Sequence, residues 1–465
     1  MTFDEKLKAR AEREESPIPE GFDSRMDALL DTLPAGVQPA KKRRAPRLAV
    51  CIGIAAAMVV GAAAAAPAIL KMAQGAVNYF QSDQESVYAP LQTEYERFNA
   101  AVGMHQTVDG VTLSIDNIAV DDSYMSIFFT VSSETPLEQV GTESEPESWR
   151  AEWTAPVFRA IVNGMELDTI GKIDNEAYFV DDCTLKGIHR LASKEILPDQ
   201  FDLLLCTDGT SRLTEGDVRF EMSIDKSTVD CLTVEPALDF TVDYTGTYED
   251  GRAYSVHRTP RVERISISPL SSTLILSEQM ASGDVFPFDA FVLRDDKGNY
   301  LTSFVSGTST SGYDRSFHVI EFLGADEGTK SVTLIPFKSS FSVHTVTGPL
   351  DALPLTDGCE NGLTLERLEV GDDKAVATFS PRGALWDAST AGSFSLTDKD
   401  GNYLPFNKFA YFDSHVDRET GKIIATLYYP DAAAEDVAKI AGVQFSQPND
   451  DMVLLEDQAV TIDLQ

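Results

Sequence analysis

No catalytic signature runs along the 465 residues of this chain. Its six histidines, His105, His189, His257, His318, His344 and His415, make no HExxH or other paired spacing. A GxSxG nucleophile elbow and a phosphate-cradling GxxxxGKS/T loop are both missing. The expectation is a protein that is not an enzyme and takes no cofactor or metal. Cysteine is scarce as well. None of the five, Cys51, Cys183, Cys206, Cys231 and Cys359, stands in the CxxC spacing of a zinc or redox site. A chain of this length builds cores without staples, so at most one bridge is expected, within the stretch holding Cys183, Cys206 and Cys231. Positive charge is outnumbered, with 38 Lys and Arg against 74 Asp and Glu and a net charge of -36. The deficit is uneven: residues 1–47 carry ten basic and nine acidic groups, whereas residues 72–465 carry 27 basic and 65 acidic, a net of -38. So acidic a surface repels phosphate backbones and argues against direct nucleic-acid binding.

Residues 48–70 (LAVCIGIAAAMVVGAAAAAPAIL) carry no formal charge. A hydrocarbon core of roughly 30 Å needs about 20 apolar residues, so this run is expected to cross a lipid bilayer as one helix. Lys41, Lys42, Arg43, Arg44 and Arg47 precede it, against Lys71 alone behind it. By the positive-inside rule these five residues set the topology: a cytoplasmic N-terminus and an extracytoplasmic C-terminal region on the cell membrane. A cleaved secretion signal would have a shorter apolar core close to its start, whereas 47 residues lead into this one.

In the tail, residues 1–47, Phe22, Met26, Leu29, Leu30 and Leu33 fall at i, i+4, i+7, i+8 and i+11, one face of a three-turn helix. Ser24 and Asp27 suit its start, and Pro34 with Gly36 its end. A helix so short is marginal alone in water, so these five apolar residues are expected to dock on a partner protein.

Beyond the span, residues 71–105 keep apolar residues at helical spacing (Val77, Phe80, Leu91, Tyr95, Phe98), which predicts a helical stalk. The period then changes to two. Val111, Leu113 and Ile115 alternate with polar residues, and so do Met125, Ile127, Phe129 and Val131 across a turn at Val120, Asp121, Asp122 and Ser123. DAFVLRDDKGNYLTSF (289–304) and GSFSLTDKDGNYLPFN (392–407) form an internal repeat sharing GNYL at an offset of 103 residues. Each copy follows a strand pair and precedes a final strand, SVTLIPF or AGVQFS, and a looser third copy begins at GVTLSIDNIAV. The expected fold is mainly β: tandem immunoglobulin-like β-sandwich modules over 106–250, 251–348 and 349–465. DKDGN at 398–402 resembles the start of an EF-hand loop, but the third early ligand and the closing Glu are missing, so a hairpin turn is expected there.

The tail helix, the span and the run LQTEYERFNAAVGMHQTVDGVTLSIDNIAVDDSYMSIFFTVSSE together resemble a family of membrane-anchored, anti-sigma-factor-like proteins of Gram-positive bacteria. In that family the outer region is a domain of unknown function. The resemblance covers residues 45–134, and a second one, to a related β domain that follows it, covers residues 261–337. It implies signal transduction to transcription. The tail would sequester an extracytoplasmic-function sigma factor, and the outer modules would sense an envelope cue, an unknown ligand or protein. The zinc-stabilised HxxxCxxC motif of some anti-sigma domains is absent. The alternative is a surface-anchored binding or adhesion protein whose tail has no regulatory task.

Overall fold

The computed structural model describes residues 69–81, 86–170, 174–207, 218–247, 251–279, 291–311, 315–338, 344–356, 358–385, 388, 391–447 and 452–465. The tail, with Phe22, Met26, Leu29, Leu30, Leu33 and the basic residues Lys41, Lys42, Arg43, Arg44 and Arg47, lies outside them, as do residues 48–68 of the expected span. Among the described residues no helix is long and apolar enough to cross a membrane. The architecture is mainly β.

Among the described residues, module 1 holds ten strands and two short helices, numbered here in chain order. Its strands are β1 (Ile69–Lys71), β2 (Ala100–Val108), β3 (Val111–Val120), β4 (Tyr124–Ser133), β5 (Phe158–Val162), β6 (Met165–Glu166), β7 (Asp174–Asp181), β8 (Thr184–Ala192), β9 (Gln200–Thr207) and β10 (Arg219–Asp225). Helix α1 spans Gln92–Arg97 and α2 spans Glu147–Thr154. Two five-stranded sheets, ordered β2-β3-β4-β8-β7 and β1-β10-β9-β5-β6, enclose one core. Alternation along β3 and β4 sends Leu113, Ile115, Met125, Ile127, Phe129 and Val131 inward, where Phe129 meets Phe158 of the other sheet at 5.4 Å. The period-two pattern therefore placed this strand pair correctly.

The expected stalk over 71–105 does not form. Ile69 and Leu70, read as the end of the span, lie in β1, which pairs parallel with β10 from Ile69↔Ser223 to Lys71↔Asp225. Among the described residues past β1 the helical content is α1 and two 3-10 turns, Asn78–Gln81 and Ala89–Leu91, before β2 begins. Met72, Val77, Tyr79, Tyr88 and Tyr95 are buried because this segment covers the second face of the β4 sheet. Phe128, on the face that alternation assigned to solvent, sits 5.9 Å from Tyr79, 5.9 Å from Phe80 and 5.0 Å from Tyr95. Apolar side chains that suited a helix are thus a lid on a sheet.

Module 2 comprises β11 (Leu232–Val234), β12 (Leu238–Asp239), β13 (Val242–Thr247), β14 (Ala253–Arg258), β15 (Arg261–Ile267), β16 (Ser272–Gln279), β17 (Phe291–Asp295), β18 (Tyr300–Ser311), β19 (Arg315–Leu323) and β20 (Ser331–Lys338), so it begins before the expected boundary at 251, because β11 and β12 pair with β15 and β13 with β14. Module 3 comprises β21 (His344–Pro349), β22 (Gly362–Val370), β23 (Lys374–Arg382), β24 (Phe394–Thr397), β25 (Tyr411–Val416), β26 (Ile423–Tyr428) and β27 (Gly442–Gln447), after which come β28 (Val453–Leu454) and β29 (Val460–Asp463). One wiring recurs three times. Four strands pair as β3-β4-β8-β7, as β15-β16-β19-β18 and as β22-β23-β26-β25, and a second antiparallel pair is β5·β9, β17·β20 and β24·β27 in turn.

The strand that follows breaks the expected boundaries. In module 1, β10 pairs with β9 of its own module. After β20, however, β21 crosses to pair with β27 of module 3, and after β27 the chain returns so that β28 and β29 pair with β20 of module 2. Modules 2 and 3 exchange their last strands, so 349–465 is not a self-contained unit. Ile462 and Leu464 join the module 2 core, Phe304 of module 2 joins the module 3 core, and Val292, Ile335 and Phe337 pack with Ala384 and Met452 between them.

The GNYL repeat is one turn built twice. Asp295 Oδ1 accepts the N–H groups of Lys297 (2.9 Å) and Asn299 (2.7 Å), and Asp398 Oδ1 accepts those of Asp400 and Asn402, both at 2.9 Å. Asn299 Nδ2 and Asn402 Nδ2 donate to the remaining carboxylate oxygens, at 2.9 and 3.1 Å. Gly298 at φ 88° and Gly401 at φ 81° occupy the left-handed position that these turns require. The Asp398 oxygens that resembled calcium ligands are committed to this turn.

Candidate functional site at the junction of the three modules

Charge buried inside an acidic protein has to be explained by its partners, because moving an ion out of water costs several kcal/mol unless it is paired and hydrogen-bonded. Three such ions meet, one from each module. Arg190 on β8 and Glu321 on β19 have side chains 0% and 1% exposed, and Arg418, just past β25, is 7% exposed. Arg190 donates through Nη1 to Glu321 Oε1 at 3.0 Å and through Nη2 to Oε2 at 3.4 Å, while Arg418 Nη1 donates to Oε2 at 2.6 Å. Tyr124 of β4 adds its hydroxyl to Glu321 Oε1 at 3.1 Å.

Aromatic faces absorb the surplus cation. Arg190 lies 3.9 Å over the Tyr124 ring and 5.1 Å over Tyr88, and Arg418 lies 5.0 Å over Tyr88 and 5.2 Å over Phe304. Tyr88 comes from the covering segment of module 1, so the chain leading away from β1 touches both guanidinium groups. Burial alone would raise the Glu321 carboxyl, but Arg190 and Arg418 outweigh it and hold the group below the ordinary carboxylate range. The cluster stays ionised at every physiological pH.

Beside it, the turn between β3 and β4 is a second set of contacts. Asp121 Oδ1 accepts the N–H groups of Ser123 and Tyr124 at 2.7 Å each, which shapes the turn. Its Oδ2 accepts the hydroxyls of Ser268 and Ser271 of module 2 at 2.6 Å each. Ser123 Oγ lies 2.7 Å from Thr273 Oγ1, and Arg264 Nη2 donates to the Ser193 carbonyl at 2.6 Å. Asp122 faces its own module and receives Lys226 Nζ at 2.5 Å. Burial, with Asp121 and Asp122 nearby, pushes the Cys231 thiol up to about 12 and keeps it protonated. Cys183 and Cys206 are likewise free thiols.

Among the described residues no group of three or more His, Cys, Asp or Glu is placed to hold a metal ion. The arrangement joins modules. The tail and topology residues named from the sequence lie outside the described residues. Arg190, Glu321 and Arg418 escaped the sequence reading because 131 and 97 positions separate each arginine from Glu321. One signal was available: GIHRLA and HVIEFL each bury a lone charge in an apolar run of a strand.

Residues 40–133 match a domain of unknown function (DUF4179), and residues 237–370 match a family of unknown function (DUF5643). The junction therefore joins the two matched regions, through Asp121, Ser123 and Tyr124 on one side and Ser268, Ser271, Thr273 and Glu321 on the other. No curated protein matches the chain. Among solved structures, the chain is similar to the crystal structure of a conserved domain protein from Bacillus anthracis, with 12% identity and a TM-score of 0.36 over 83% of this chain and 96% of that one.

Proposed function

We propose that this chain is a single-pass membrane regulator of the anti-sigma type, with residues 48–68 at the core of its span. Its tail sequesters an extracytoplasmic-function sigma factor through Phe22, Met26, Leu29, Leu30 and Leu33. Its outer modules, read as immunoglobulin-like, respond to an envelope cue. One observation carries the reading: the chain next to the apolar run is strand β1 followed by a segment built into the module 1 core, with Tyr88 against the Arg190 and Arg418 side chains. A disturbance of the outer modules would thus reach the juxtamembrane residues through paired strands and packed rings.

The test is co-purification of the full chain from membranes of its host. A sigma factor should accompany the wild type, and Leu29→Asp with Leu30→Asp should lose it while the protein stays in the membrane fraction. If no sigma factor accompanies the wild type, the adhesion reading takes its place. Tyr403 and Phe409, 59% and 80% exposed on module 3, would then be the first surface to examine.

A further inference from the structure

We infer that module 1 and the interlaced modules 2 and 3 are two bodies that dock and undock at the buried junction, with Glu321 as the pin between them. The inference stands apart from the sigma-factor reading, because it concerns the outer region alone. The two boundaries differ in kind. Modules 2 and 3 exchange β21 against β28 and β29 and share apolar side chains, so they cannot separate without breaking sheet ladders. Module 1 meets them mainly through polar groups: Asp121 with Ser268 and Ser271, Ser123 with Thr273, Arg264 with Ser193, and Tyr124 and Arg190 with Glu321. The apolar part of that boundary is Tyr124, Ile170 and Ala192 against Ile275 and Val319, with Leu270 set into the module 1 core and Trp149 edge-on to Tyr411 at 5.4 Å. One stretch of chain, residues 226–231, connects module 1 to module 2, whereas two connect modules 2 and 3. A polar interface with one covalent crossing is where relative motion of domains is expected.

Charge balance makes the docking depend on a single carboxylate. Undocked, Arg190 and Glu321 regain water separately. Docked, each gives up hydration that its partner and the Tyr88 and Tyr124 side chains replace, and Arg418 shares the same carboxylate. Removing the charge of Glu321 leaves two arginines facing each other across the boundary with no anion between them. Opening then restores their solvent.

Hydrogen–deuterium exchange on the full chain in membranes tests this. In Glu321→Gln, amides of residues 121–124 and 268–273 should exchange about tenfold faster or more, while the β9·β10 and β20·β29 ladders keep wild-type protection. Adding Arg190→Met to that variant deletes one orphaned cation and should recover most of the protection. Unchanged exchange at the junction would overturn the inference, and so would faster exchange spread over both ladders or a double variant no better protected than the single. Should Glu321→Gln not accumulate, Ser271→Ala, which removes one hydroxyl from Asp121, should speed exchange severalfold in the same two segments alone. Exchange in that variant equal to wild type would overturn it equally.

Discussion

Substituting Phe128 by Ala separates a built-in segment from a free stalk. The ring is 1% exposed and touches three rings of the covering segment, with Tyr95 edge-on at 5.0 Å and Tyr79 and Phe80 at 5.9 Å. Truncating a buried Phe costs about 3–5 kcal/mol through lost transfer energy and the cavity left behind. Aromatic pairs add about 0.5–1.5 kcal/mol each beyond burial, in part already counted in the truncation. A loss of about 4–5 kcal/mol is expected, and at about 2–4 °C per kcal/mol for a module of this size the melting midpoint should fall by about 8–20 °C. Differential scanning calorimetry would show the module 1 transition moving down while the transition of modules 2 and 3 holds. Limited proteolysis should gain cuts within residues 72–98. A loss under about 1 kcal/mol, the scale of a substitution at an exposed surface position, would refute the packing argument.

Three further outcomes follow from other parts of the fold. Burial holds the His189 imidazole down to about 3, and the native state keeps it neutral, so its contribution is fully present above an unfolded value near 6.5 and is lost as pH falls from there toward 3. Urea unfolding of module 1 should weaken by about 2 kcal/mol between pH 7 and pH 5, and His189→Leu should flatten that interval. Deleting residues 460–465 removes β29 together with buried Ile462 and Leu464, so modules 2 and 3 should lose about 5 kcal/mol or more while exchange in β9 and β10 stays at wild type. Asp295→Ala should cost about 1–3 kcal/mol in thermal melts and Asp398→Ala, at its exposed turn, less, since each breaks the same carboxylate turn, and millimolar calcium should leave the wild-type melt unchanged.

The strands were legible because side chains in a half-buried sheet alternate, as Leu113 and Ile115 or Met125 and Ile127 do. The repeat was legible because its turn needs Asp, Gly and Asn at fixed positions. Residues 72–98 misled for a physical reason: a segment that caps a sheet uses scattered large side chains, and Val77, Tyr95 and Phe98 fall at spacings that a helix also permits. Strand exchange leaves no local mark, since β29 alternates alike whichever module it completes. Partners across modules are likewise invisible in one dimension, and the acidic turn at Asp121, which reads as solvent-facing, is buried against two serines.

Because β28 and β29 follow module 3 in the chain, translation fixes an order of assembly. Module 3 has its six own strands and β21 once residue 447 has emerged, yet the β20 edge waits for residues 453–463. The β20 edge is therefore sealed only after module 3, and a ribosome that stops before residue 453 releases a chain with an open sheet edge, a surface on which other strands can add.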